Sequence, residues 1–248
     1  MMTKKLMLSF LLFSFATTIF AQGFYKDRSH KILVFTKTMG WRHQSIETGV
    51  HALRQLGKKG DFNLVQTEDA LVFQLENLKQ YDLVIFLSTT QDVLNSEQEK
   101  AFEAYIRQGG SYMGIHAACD TEYSWPWYGK LAGAYFNGHP NNPNVREATI
   151  KVVDTNHAST KHLSQDWVRT DEWYNYKDLN PNIQVVLNLD ENTYEGGTNG
   201  VSHPIAWYHE FEGGRSFYTG GGHTIESFSE PAFLEHLLGG INYCLKKD

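Results

Sequence analysis

Two uninterrupted apolar runs constrain this chain more than any other feature. "HKILVFTKT" (30–38) and "YDLVIFLST" (81–89) carry four and five consecutive hydrophobic residues with no polar alternation. A strand with one wet face alternates, whereas a strand covered on both faces does not, and strands of the second kind belong to parallel sheets wrapped by helices. The intervening segments agree. "WRHQSIETGVHALRQLGKKG" (41–60) places Ile46, Val50, Leu53 and Leu56 on one helical face, with Gly57 and Gly60 as its predicted stop. "FNLVQTED" (62–69) reads as a strand. "NSEQEKAFEAYIRQGG" (95–110) reads as a helix capped by Ser96, with Glu99 completing a capping box and Gly109 ending it. "SYMGIHAA" (111–118) is then the fourth strand. This strand–helix alternation predicts a doubly wound, mainly parallel α/β sheet with helices on both faces.

The second half changes character. "EATIKVVD", "WVRTDEWYNY", "IQVVLNLD", "HPIAWYHEF" and "GRSFYTGGG" are strand-like with little helix between them, and "SEPAFLEHLLGGINYCL" closes the chain as a helix with Pro231 in its first turn. Antiparallel strands are therefore expected to extend the parallel sheet. No Ser/Pro/Gly-rich linker, repeat or low-complexity tract divides the chain, so residues 22–248 are expected to form a single domain.

Residues 1–21 stand apart. A basic start, "MMTKK", an apolar core and a small-residue "AQ" junction make a secretory signal peptide cleaved near Ala21; a retained membrane anchor is the alternative. Cleavage puts the mature protein outside the cytoplasm, secreted or periplasmic, with no membrane association of its own. Loss of Lys4 and Lys5 takes the formal charge from −6 to −8. An acidic surface has no basic stripe for nucleic acid. Two cysteines, Cys119 and Cys244, are too few for a disulfide framework. Cys119, despite its place beside the fourth strand's end, is expected to be a buried, inert thiol.

Ligands of open parallel sheets bind beyond the carboxyl ends of the strands. In this sequence those ends are rich in imidazoles and acids. Trp41, Arg42 and His43 follow the first strand; His116 and Asp120 follow the fourth. His139, His157, Asp171, Glu172, Tyr174 and His203 lie at later ends, and His223 with Glu226 follows three glycines that allow a close approach. His51, His162 and His236 sit within helical patterns or polar loops and are read as structural. Several strand ends delivering such groups to one edge suit acid–base work near neutrality, and equally a divalent metal on imidazoles and a carboxylate. The aromatics Trp41, Tyr123, Trp125, Trp127, Trp173 and Tyr174 suit stacking on a sugar ring and equally core packing. No Gly-rich phosphate loop opens a helix, and no Gly-x-Ser-x-Gly elbow is present.

Taken in order, "ILVFTKTMGWRH", "GGSYMGIHAACDTEY", "GHP", "NHAST", "TDEWYNY", "HPIAWYHEFEGGRSFYTGGGHT" and "EPAFLEHLLGGINY" resemble the trehalose-utilisation (ThuA-like) proteins across nearly the whole mature chain. That family is similar to the class I glutamine amidotransferases, which implies a flavodoxin-like sheet. Their elbow, Gly-x-Cys-x-Gly, is matched by Gly114-Ile115-His116-Ala117-Ala118, so His116 stands where the cysteine would, and their late histidine is matched by His223, with an acid at Glu226. Without a thiolate at that position no thioester forms, and glutaminase activity is excluded on this reading.

The resemblance implies sugar catabolism, with a 3-keto sugar or related disaccharide or glycoside as substrate and isomerisation, elimination or hydrolysis as the reaction. On that expectation His116, His223 and either Asp171 or Glu172 are catalytic, and His116, His223 and Glu172 are candidate ligands if a divalent metal is bound. Trp41, Arg42, His43, Asp120, His139, His203 and Tyr174 line the pocket for a small-molecule carbohydrate. Asp171 and Glu172 cannot serve as the paired carboxylates of a glycoside hydrolase, because neighbours on a strand face opposite ways. The alternative to an enzyme is a carbohydrate-binding protein on the same fold. Oligomeric state is open at this stage.

Overall fold

The structure, a computed structural model, describes residues 30–247; the signal peptide expected at 1–21 lies outside them. The chain runs β1 (His30–Phe35), α1 (Ile46–Gly60), β2 (Phe62–Thr67), a short α2 (Leu75–Leu78), β3 (Leu83–Leu87), α3 (Ser96–Arg107) and β4 (Ser111–Ile115). It continues through α4 (Pro126–Ala132), β5 (Tyr135–Phe136), β6 (Val145–Val152), β7 (Asp166–Glu172), β8 (Tyr176–Lys177), β9 (Gln184–Leu189), β10 (Pro204–Phe211), β11 (Gly214–Thr219) and α5 (Pro231–Cys244). One nine-stranded sheet has the order β2-β1-β3-β4-β11-β10-β9-β6-β7, and β5 pairs with β8 in a separate ribbon.

Five strands, β2 through β11 in that order, are parallel, and the remaining four extend the sheet antiparallel. β1 and β3 are buried along nearly their whole length, the state their apolar runs require. The chain leaves β1 toward β2 on one side and later builds β3 and β4 on the other. Right-handed crossovers therefore put α1 and α3 on opposite faces. α5 joins α1 on its face. Stacked Phe86, Phe102 and Tyr105 fill the face beneath α3, and Tyr128 of α4 packs on Phe86.

One expected helix end holds and one start moves. α1 runs through Gly57 and ends at Gly60, capped by Asp61, which adopts the left-handed conformation (φ 58°) and donates its N–H to Gly57 O. In α3 the cap is Asn95, not Ser96. Its side chain accepts from the N–H groups of Glu97 and Gln98, and the Gln98 side chain returns to Asn95 N, so Gln98 takes the part expected of Glu99.

The register fixes where the functional edge lies. Ile115 is level with Leu87 on one side and Thr219 on the other, so β3, β4 and β11 end flush. Ser88, His116 and Gly220 therefore emerge side by side, and His116 opens a short 3-10 turn, His116–Cys119. Asp171 and Glu172 end β7 at the far margin of the sheet, and the segment after them folds back so that Tyr174 lies on His116, ring centroids 4.4 Å apart.

Candidate functional site

His116 is the floor of the site. Its backbone is left-handed (φ 52°) and its side chain fully buried. The sharp turn lifts the imidazole off the end of β4, where Nδ1 meets Gly220 O at 2.9 Å. A carbonyl only accepts, so Nδ1 carries the proton and Nε2 presents a lone pair. That lone pair points into a cluster: His223 Nδ1 stands at 3.2 Å and Glu172 Oε2 at 3.3 Å. His223 Nδ1 and Glu172 Oε2 are themselves 2.9 Å apart.

Glu172 has 3 % exposure. Its second oxygen, Oε1, accepts a 2.6 Å bond from Asn144 Nδ2, with His139 Nε2 at 3.6 Å. Burial alone would raise the carboxyl, but the imidazoles of His116 and His223 beside it outweigh burial and hold Glu172 well below the usual carboxylate range. His43 crosses edge-on to both His116 and His223, at 4.8 and 5.1 Å between ring centroids. Burial, reinforced by the neighbouring imidazoles, pushes His43 down to about 2, so it stays neutral, and its buried Nδ1 has no hydrogen-bond partner.

Above the cluster opens a cavity of about 300 Å³ lined by Trp41, His43, Asp120, Phe136, His139, Asn144, Glu172, Tyr174 and His223. Trp41 stands at its rim with 71 % of its surface exposed. Asp120 is half-buried; burial raises its carboxyl, partly opposed by the hydroxyl of Tyr123, which donates to Oδ1. Trp41, His43, Asp120, His139, Glu172, Tyr174 and His223 thus meet at one place from separate segments of the chain.

Five other expected residues stand elsewhere. Asp171, opposite Glu172 in the pleat, faces away from the cavity. Its oxygens accept from Arg169 Nη1, Ser227 Oγ and the N–H groups of Glu172, Gly222 and His223, so it anchors the backbone that carries His223. Arg42 is held by Glu47 (2.7 Å) and Glu68 (2.8 Å) outside the cavity. His203 lies beneath Tyr174, with Nε2 donating to Tyr174 O and Nδ1 2.7 Å from Glu191. Glu226 is exposed at the start of a short turn, and His157 stacks on Tyr208, away from the cluster. Cys119 is fully buried and its thiol is pushed far up by burial, as expected of an inert cysteine. Of the histidines read as structural, His236 bonds Ser159 O and Thr219 Oγ1, and His162 bonds Ala232 O.

Sequence reasoning missed Asn144 and Phe136. Both lie in or beside connections without periodicity, and the only signal was their neighbourhood to "GHP". Among the described residues no helix is long and apolar enough to cross a membrane.

The chain matches the trehalose-utilisation (ThuA) family over residues 31–244, and it belongs to that family, which is glutamine amidotransferase-like and has a general role in sugar metabolism. It is similar in structure to a ThuA-like protein of Bacteroides uniformis (25 % identity, TM-score 0.74, covering 92 % of this chain and 96 % of that one). A ThuA-like protein of Parabacteroides merdae, 20 % identical, shares the fold with a TM-score of 0.71 over 88 % of this chain and 91 % of that one. A β-galactosidase of Bacillus circulans shares it at 12 % identity and a TM-score of 0.56, with 89 % of this chain laid on 31 % of that enzyme. No curated protein sequence matches the chain.

Proposed function

We propose that this member of the trehalose-utilisation family is an exported enzyme that acts on a 3-keto sugar or related glycoside. The observation that carries the reading is the convergence of His116, His223, His139 and Asn144 on the single carboxylate of Glu172, at the base of a cavity rimmed by exposed Trp41. An indole face at the mouth suits stacking on the apolar side of a sugar ring, and Tyr174 and Phe136 supply further aromatic wall.

A ketone at C3 acidifies the neighbouring C2–H. Asp120, lining the cavity with its carboxyl raised by burial, is the group suited to move that proton. The C–H electron pair becomes a carbon–carbon double bond and the carbonyl pair moves onto the C3 oxygen, whose charge calls for a proton donor or a cation at the imidazole–Glu172 cluster. As the enediolate collapses, the C3 ketone re-forms, the C2–C3 double-bond pair shifts to make a C1–C2 double bond, and the C1–O bond breaks, its oxygen leaving with the proton that Asp120 returns. Export is part of this proposal and is supported by the signal-peptide pattern of residues 1–21; on it the chemistry belongs outside the cytoplasm.

The test is turnover of 3-keto-trehalose by the mature protein and by His116→Ala and Asp120→Asn. General acid–base and electrostatic groups are each worth on the order of 100-fold or more. Both variants should therefore lose at least ~100-fold in kcat/KM with unchanged circular dichroism. Turnover at wild-type rate in either variant removes that residue's role. A wild type that binds the sugar without converting it makes the protein a carbohydrate-binding module.

A further inference from the structure

The donor atoms of the cluster pose a problem of lone pairs. His116 Nδ1 donates to Gly220 O, which leaves Nε2 an acceptor. Glu172 Oε2, a carboxylate oxygen, is also an acceptor and lies 3.3 Å from that nitrogen. One proton on His223 Nδ1 can serve only one of the two at a time, although it stands within 3.2 Å of both. His43 brings a further ring nitrogen within 4.8 Å of the others, and its buried Nδ1 has no hydrogen-bond partner. Electron pairs crowded together with too few protons are stable only around a positive centre.

The spacing is that of a metal's ligand shell. His116 Nε2, His223 Nδ1 and Glu172 Oε2 form a triangle with edges of 2.9, 3.2 and 3.3 Å. Ligands about 2.0–2.1 Å from a tetrahedral zinc ion lie about 3.3 Å from one another. All four donor atoms, with His43 as the looser fourth, lie within 4.8 Å of one another. The supporting bonds are also those of a metal site. His116 donates its other ring nitrogen to a carbonyl, Glu172 Oε1 accepts from Asn144, and Asp171 holds the N–H of His223. Such bonds fix tautomer and ring orientation for ligation.

We propose that His43, His116, Glu172 and His223 bind one divalent cation of the zinc class. Three imidazoles and one carboxylate, with no thiolate within the set, suit Zn²⁺, and less tightly Mn²⁺. The site deepens the functional reading above and rests on it for its purpose: the cation lies at the cavity floor, where a ketone oxygen of the substrate gathers charge.

The experiment is isothermal titration of chelator-treated mature protein with ZnCl₂ and MnCl₂, with metal content after dialysis read by elemental analysis. One Zn²⁺ per chain is expected, bound more tightly than Mn²⁺. Glu172→Gln and His116→Ala should weaken binding at least ~100-fold and His43→Ala about 10-fold, with Co²⁺-loaded protein losing its visible bands in the same order. Because His116→Ala could disturb the turn it occupies, Glu172→Gln, which keeps shape and volume, is the deciding variant. Zinc that does not saturate, or that binds equally well to Glu172→Gln, overturns the site. The two readings fail separately. A stoichiometric metal in a protein inert toward keto sugars keeps the cation and removes the substrate, whereas turnover by metal-free protein does the opposite.

Discussion

At the scale of the residue, one of the non-glycine positions held in the left-handed region stands at the centre of the site. His116 is held at φ 52°, where a side chain clashes with the neighbouring carbonyl at a cost of about 1–2 kcal/mol. Glycine escapes that clash. Both His116→Gly and His116→Ala remove the imidazole and its bond to Gly220 O, so their difference isolates the backbone. His116→Gly should therefore unfold at higher urea than His116→Ala, by about 1 kcal/mol after the greater flexibility of unfolded glycine is allowed for. Equal midpoints, or a more stable alanine variant, would mean that the turn is relaxed and that its shape carries no stored strain. The sequence pointed to this residue through its place at the end of an apolar run, but the sign of φ is not written there. Nor was the choice between Asp171 and Glu172, which pleat alternation divides without saying which faces the cavity; Arg169 and the N–H groups around Gly222 settle it by engaging Asp171.

Elements were legible where one physical demand dominated. The runs 32–35 and 83–87 could only be doubly covered strands, and α1 announced its buried stripe through Ile46, Val50, Leu53 and Leu56. Boundaries failed where two neighbours compete for one task, as Asn95 and Ser96 do for the cap of α3. Arg42 was drawn to the site by its place after β1, yet Glu47 in the first turn of α1 and Glu68 after β2 are nearer partners. α5 holds a feature that propensity alone misreads. Gly239 and Gly240 sit inside the helix, where replacement of glycine by alanine ordinarily stabilises by about 1 kcal/mol. A Cβ at Gly239 would stand 2.3 Å from Ala158 O and 2.4 Å from Ser159 Cα, both backbone atoms of the loop that His236 bonds. Gly239→Ala should therefore destabilise by about 2 kcal/mol or more, since overpacking against backbone costs about 1–3 kcal/mol and has no side chain to yield. Chemical denaturation decides it. A gain in stability would show that the loop carrying Ser159 moves freely, and that the close packing of α5 against it is not a constraint.

For the whole molecule, the buried titratable groups outside the cluster set opposite slopes of stability against pH. His236 is fully buried and held at about 3, burial being the main cause and the bond to Ser159 O acting against it. His209 is lowered by burial as well, opposed by its bond to Lys130 O. Unfolded, each regains a pKa near 6.5, so below that pH the unfolded chain binds protons that the fold excludes, and stability falls as the solution is acidified. Glu122 works the other way. Its Oε1 accepts the N–H groups of Val93 and Leu94 at 2.9 and 2.7 Å, yet Oε2 is buried without a partner, and burial raises the carboxyl to about 7 despite the two bonds. Between about pH 4.5 and 7 the folded state keeps a proton on Glu122 that the unfolded chain has released, so this group's contribution is greatest below 4.5 and is lost as pH rises through 7. Glu122→Gln removes the ionisation and retains an oxygen for the Val93 and Leu94 N–H groups. Relative to the parent, the variant should therefore gain stability from pH 5 to pH 8, by an amount of order 3 kcal/mol at most, each unit of pKa being worth about 1.4 kcal/mol. Calorimetry on chelator-treated protein at both pH values measures the difference of differences, in which every titration common to the two proteins cancels. A gap between variant and parent that stays constant with pH would mean that Glu122 is ionised in the fold throughout, with water or a cation reaching Oε2.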